Sequence, residues 1–201
     1  MQNLIQSGLT IFQFFLALIF GWPGNSEGIV VHPSEIQIQE ALQAGDAAAK
    51  GKIPSNKLYW QFGPDAELKS HGFLMTKMNG LTVMSTHFAL RSEKPSKQDI
   101  EQILKASELQ IVVTVFGSSP QFAVDSYMVM KQSNRLIKPR WVRSDARASR
   151  SSAWPESPAY QEKIVAAFPY DTFDPKAATA VVIFPGEGGE INFEMNFSAI
   201  P

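Results

Sequence analysis

Ile191-Asn192-Phe193-Glu194-Met195-Asn196-Phe197 alternates apolar and polar side chains without a fault. Successive side chains of a strand point to opposite faces, so Ile191, Phe193, Met195 and Phe197 share one face and Asn192, Glu194 and Asn196 the other. Such a strand belongs to an antiparallel sheet with one face on a core and one face in water. Leu109–Phe116 (Leu-Gln-Ile-Val-Val-Thr-Val-Phe) is instead apolar at nearly every position, as a central strand covered on both faces would be.

Working outward, further short strands are expected at Leu58–Phe62, Phe122–Met130, Leu136–Ile137, Ile164–Phe168 and Thr179–Phe184. In the second of these Phe122, Val124, Met128 and Met130 share one face. Pro185-Gly186-Glu187-Gly188-Gly189 joins the last two strands as a hairpin loop. Asn79-Gly80, between Phe73–Met78 and Leu81–Leu90, has the two residues that a type I′ turn requires and predicts a second hairpin. In that register His71 faces Phe88 and His87 faces Gly72, which puts the two histidines on opposite faces.

Two helices interrupt the strands. Ser34 with Gln37 three residues on forms a capping box, and Ile38, Ala41, Leu42, Ala48 and Ala49 follow on one stripe up to Lys50. Gly45 inside this helix costs about 1 kcal/mol relative to Ala. Ser96 caps a second helix to about Ala106, with Ile100, Ile103 and Leu104 on its apolar face. The expected fold is mainly β: an immunoglobulin-like antiparallel β-sandwich with two short helices, one N-terminal and one inserted between strands. Fold alone gives no function.

Residues 1–26 carry no charged side chain, and Leu9–Trp22 is almost wholly apolar before the breaker Pro23-Gly24. That length suits a signal-peptide core better than a membrane span. With no Lys or Arg before it, an uncleaved N-terminal anchor is the alternative. Residues 27–56 then form a helical segment and 57–201 the sandwich. The chain has no cysteine, which excludes thiolate metal sites, thiol nucleophiles and a cysteine-borne lipid. Export without disulfides points to a bacterial periplasm or cell surface.

Candidate chemistry is sparse. The sequence has no Gly-x-Ser-x-Gly elbow. Asp171, Asp174, Glu187 and Glu190 are the only carboxylates whose loops suggest a cation, and calcium needs roughly six to eight oxygens; no cofactor is expected. The clearest asymmetry lies between Lys131 and Arg150. Seven basic residues there stand against the single acid Asp145, a net charge of +6 in a chain of net charge −1, so the remainder carries −7. The candidate binding residues are Arg135, Lys138, Arg140, Trp141, Arg143, Arg147, Arg150 and Trp154, carried on a basic loop at 139–158. Guanidinium offers a bidentate fork to phosphate or carboxylate, and tryptophan suits a membrane interface or a sugar face. The expectation is an exported, non-enzymatic binding or assembly module that meets a protein partner or an anionic surface, lipid head group or acidic polysaccharide, with no nucleic acid. A periplasmic hydrolase or metal-dependent enzyme with a dispersed site, and a structural protein assembling through sheet edges, are the alternatives.

Overall fold

The computed structural model describes residues 28–200. The expected signal peptide or anchor at 1–26 lies outside them, and no described helix is long and apolar enough to cross a membrane. The described chain is mainly sheet, with two antiparallel sheets and three α-helices.

The strands are β1 (Trp60–Phe62), β2 (His71–Met75), β3 (Glu108–Gly117), β4 (Tyr127–Gln132), β5 (Arg135–Ile137), β6 (Trp141–Arg143), β7 (Ser149–Arg150), β8 (Tyr160–Pro169), β9 (Ala178–Phe184) and β10 (Ile191–Asn196). One sheet runs β1-β2-β3-β8-β6, with β7 also on β8; the other runs β10-β9-β4-β5. Leu109, Ile111, Val113 and Val115 of β3 meet Met128, Met130, Val181, Ile183, Phe193 and Met195 of the second sheet in one buried core. Phe62 and Phe193 make an edge-to-face contact across it, with ring centroids 5.0 Å apart. Phe193 and Met195 point into this core while Asn192, Glu194 and Asn196 are exposed, as the alternation requires.

The helices are α1 (Glu35–Lys50), α2 (Lys77–Leu90) and α3 (Lys97–Leu104). Ser34 and Gln37 form the expected capping box, and Ser96 forms one with Asp99. α2 corrects the sequence reading, since Asn79-Gly80 turns no hairpin. Thr76 caps the helix: its hydroxyl accepts the Asn79 amide at 3.2 Å and donates to Asn79 Oδ1 at 2.8 Å. Asn79 Nδ2 donates to the Leu58 carbonyl. Gly80 lies against Ile103, where a Cβ would come within 3.3 Å, so the glycine lets α3 approach. The three helices bury a separate small core around Ala41, Met78 and Leu81.

The other departures are local. Ser55–Leu58 is a single 3-10 turn, which shortens the first strand. Phe122 and Val124 lie in a turn before β4, because Asp125 adopts φ +59° and breaks the extended backbone. Phe122 packs on the bare Cα of Gly117, where any Cβ would overlap its ring.

Candidate functional site

The basic segment climbs one flank of the molecule. β5 is an edge strand of the four-stranded sheet, and Lys138-Pro139-Arg140 carries the chain across to β6 on the edge of the other. β6 and β7 both pair with β8, from Trp141 opposite Ala167 to Arg150 opposite Tyr160. Seven residues of strand separate those points, about 23 Å at the strand rise. Within the segment expected as a loop, Trp141–Arg143 and Ser149–Arg150 are edge strand and the rest is turn and loop. It is pinned where its side chains turn inward: the buried Ala148 donates its amide to the Pro120 carbonyl at 2.8 Å, Ser144 Oγ donates to the Ala123 carbonyl at 3.1 Å, and Ser151 is tied to Ala159 and Pro158.

All six basic candidates, Arg135, Lys138, Arg140, Arg143, Arg147 and Arg150, are exposed. Two guanidinium groups lie over indoles: Arg143 is 5.5 Å from the Trp141 ring centre and Arg150 is 4.0 Å from that of Trp154. Trp154 is itself 44% exposed. A cation over an indole contributes about 0.5–1 kcal/mol at exposed sites. Arg140 alone of the set has an acidic partner among the described residues, Glu108 at 2.9 Å. The structure brings Arg140, Trp141, Arg143, Arg147, Arg150 and Trp154 onto one edge; Arg135 and Lys138 lie beyond the crossing, on the second sheet's side.

Arg140 also reaches a cavity of about 690 Å³ whose walls include Lys77, Lys105, Ser107, Tyr170 and Asp171. Sequence patterning gives no sign of it, because its residues come from α2, the end of α3 and the turn after β8. Lys77 opens α2, is 7% exposed and donates from Nζ to the Leu104 carbonyl at 2.6 Å. Burial holds its pKa below the usual lysine value. Its ammonium lies 5.5 Å from the Tyr170 ring centre. Burial also pushes the Tyr170 phenol up to about 12, offset in part by the Lys77 backbone amide. The hydroxyl of Tyr170 has no well-formed hydrogen bond among the described residues.

The remaining sequence candidates do not assemble. His71 is exposed on β2, opposite Thr114, and its Nδ1 meets the Lys69 carbonyl at 2.8 Å. His87 is exposed on α2, 2.8 Å from Ser55 Oγ. With the hairpin gone, the register that related them is gone too. Asp171 and Asp174 lie before the start of β9, and Glu187 and Glu190 after its end. A seven-residue strand, about 20 Å long, separates the two pairs. Asp174 Oδ1 accepts the Lys176 amide in a local turn, and Glu187 accepts from Ser119 Oγ. Among the described residues no three His, Asp or Glu side chains converge as metal ligands would.

The chain matches no protein-family model, and no curated protein shows significant sequence similarity to it.

Proposed function

We propose that the chain is an exported binding module whose arginine edge takes an extended acidic partner, an acidic polysaccharide before a lipid surface. The single observation that carries this reading is the state of Arg143, Arg147 and Arg150. They stand on one pinned edge without an acidic partner among the described residues, two of them stacked on exposed or half-exposed tryptophans. Charges that merely kept a connection soluble would not need the stacking; Arg143, opposite Val165, and Arg150, opposite Tyr160, flank the edge from its two faces. A linear polyanion suits an edge that carries charge over about 17 Å from Arg143 to Arg150, and an indole beside an arginine suits a sugar ring next to its carboxylate.

Export rests on the uncharged residues 1–26 and the absence of cysteine. We likewise propose an immunoglobulin-like sandwich as the architecture. The chain crosses between its two sheets after β3, after β5 and after β8, which favours a Greek-key arrangement over a simple meander. Strand edges with rows of charge also resist pairing with other sheets, so the same arginines count against assembly through this edge.

The test compares the full chain on polygalacturonate, on anionic vesicles and on neutral vesicles at low and high salt. Binding to polygalacturonate that salt weakens supports the proposal. Salt-insensitive binding to all three surfaces, or none to the polyanions, refutes it.

A further inference from the structure

We propose that the cavity between α2, α3 and the turn after β8 binds a small phosphorylated metabolite, the phosphate seated between Lys77, Lys105 and Arg140. This site is separate from the exposed arginine edge and shares only Arg140 with it. Three cations from three parts of the fold line the cavity, with Asp171 the one acid among its walls; Lys105 and Arg140 also pair with Glu101 and Glu108 at 3.0 and 2.9 Å, so Lys77 is the wall cation without an acidic partner among the described residues. Such a set favours an anion over a neutral molecule.

The wall offers more donors than the protein accepts. An ammonium has three N–H donors, and Lys77 places one on the Leu104 carbonyl. That bond explains why a lysine caps the last turn of α3, but it leaves the other two donors unfilled. Tyr170 is 8% exposed and its hydroxyl proton lacks an acceptor among the described residues. The ring of Tyr170 lines the cavity and its hydroxyl lies beneath the wall, closed to solvent, so a ligand reaches it only as the wall adjusts. Lys77 is also the first residue of the fourteen-residue α2, whose dipole adds to the positive potential at this wall. The volume, about 690 Å³, exceeds what a bare phosphate fills and lies within the range of small-molecule sites. Val31, Ala106 and Pro169 give the remaining wall an apolar patch for an organic moiety.

The experiment titrates the full chain with inorganic phosphate and with ribose 5-phosphate by calorimetry, alongside Lys77→Met, Lys105→Ser, Tyr170→Phe and a control, Lys163→Ser, on the exposed side of β8. The expected result is saturable binding, tighter for ribose 5-phosphate than for phosphate. Lys77→Met should weaken it at least about tenfold, the scale of a lost charged hydrogen bond. Lys105→Ser and Tyr170→Phe should weaken it severalfold, and the control should leave it unchanged. If Lys77→Met fails to fold, the other two variants decide. No binding of either probe, or equal binding by the folded cavity variants and the control, overturns the proposal. Retained polygalacturonate binding by these variants separates its failure from that of the arginine edge.

Discussion

Gly45→Ala sets two physical arguments against each other. Helix propensity alone makes it stabilising by about 1 kcal/mol, because alanine restricts the unfolded chain and suits a helix interior. The packing of α1 on α2 says the reverse. A Cβ on Gly45 would lie 2.4 Å from the Thr82 carbonyl oxygen, 2.5 Å from Ser85 Cβ and 2.9 Å from the Thr86 amide nitrogen. Backbone atoms cannot swing aside, so α1 must retreat by about 1 Å to reach ordinary contact. Three hydrogen bonds cross that interface: Thr86 Oγ1 to the Gly45 carbonyl at 3.1 Å, Ser85 Oγ to the Leu42 carbonyl at 2.8 Å, and Ser85 Oγ to Asp46 at 3.0 Å. Because Ser85 has one proton for its two acceptors, these bonds are together worth about 2–3 kcal/mol, and loosening the contacts around Ala41, Met78 and Leu81 adds about 1 kcal/mol. Set against the propensity gain, the net effect is a destabilisation of about 2–3 kcal/mol. For a chain of this size that lowers Tm by roughly 4–12 °C. Thermal and urea unfolding followed by far-ultraviolet circular dichroism measure it. A variant that gains about 1 kcal/mol would show that α1 and α2 do not cross at Gly45.

Tyr170→Phe should not destabilise the ligand-free protein, since it removes a buried hydroxyl that lacks a well-formed hydrogen bond; equilibrium urea unfolding at neutral pH shows the sign. With its folded pKa raised to about 12 from 10, Tyr170 keeps its proton longer when folded, so its contribution is complete below pH 10 and lost as pH rises to about 12. The wild type should therefore lose about 3 kcal/mol more than Tyr170→Phe across that window, measured as the difference between their urea midpoints. Thr76→Ala removes the hydroxyl that caps α2 and should cost about 1–2 kcal/mol in the same assay, while Ser34→Ala, on an exposed cap, should cost about 1 kcal/mol or less. Met130→Ala, fully buried between the sheets, should cost about 2–5 kcal/mol.

The strands were legible where one physical signal dominated. β10 follows from its alternation and β3 from its apolar run, although only one face of β3 is fully covered: Leu109, Ile111, Val113 and Val115 are buried, while Gln110, Thr114 and Phe116 on the other face are half-buried. Both helix starts at Ser34 and Ser96 follow from capping chemistry, which is local. α2 was hidden for a specific reason. Its buried positions, Lys77, Met78, Asn79, Leu81, Thr82, Val83, Ser85 and Thr86, surround the helix instead of forming one stripe, and three of the eight carry hydroxyls. Those hydroxyls are satisfied by carbonyls of α2 itself, by α1 and by Asp46, partners that hydropathy cannot anticipate. Asn79-Gly80 then reads as a turn, although Thr76 uses Asn79 as a cap partner. The arginine cluster was visible as composition, whereas its placement on an edge depends on β8 pairing with β6 and β7. The Lys77 cavity had no signature, since Lys77, Lys105, Arg140 and Tyr170 are brought together only by tertiary structure.

The central claim is that Arg143, Arg147 and Arg150 bind an acidic partner along the β6–β7 edge. The most direct measurement is a titration of polygalacturonate into the full chain and into the variant with these three arginines changed to Ser, at low and high salt, followed by tryptophan fluorescence. At roughly 1 kcal/mol per cation facing an anionic surface, the variant should bind about 30- to 150-fold more weakly at low salt. The difference should shrink as salt screens the charges. Equal binding by the two proteins, or a difference that salt does not diminish, would contradict the account.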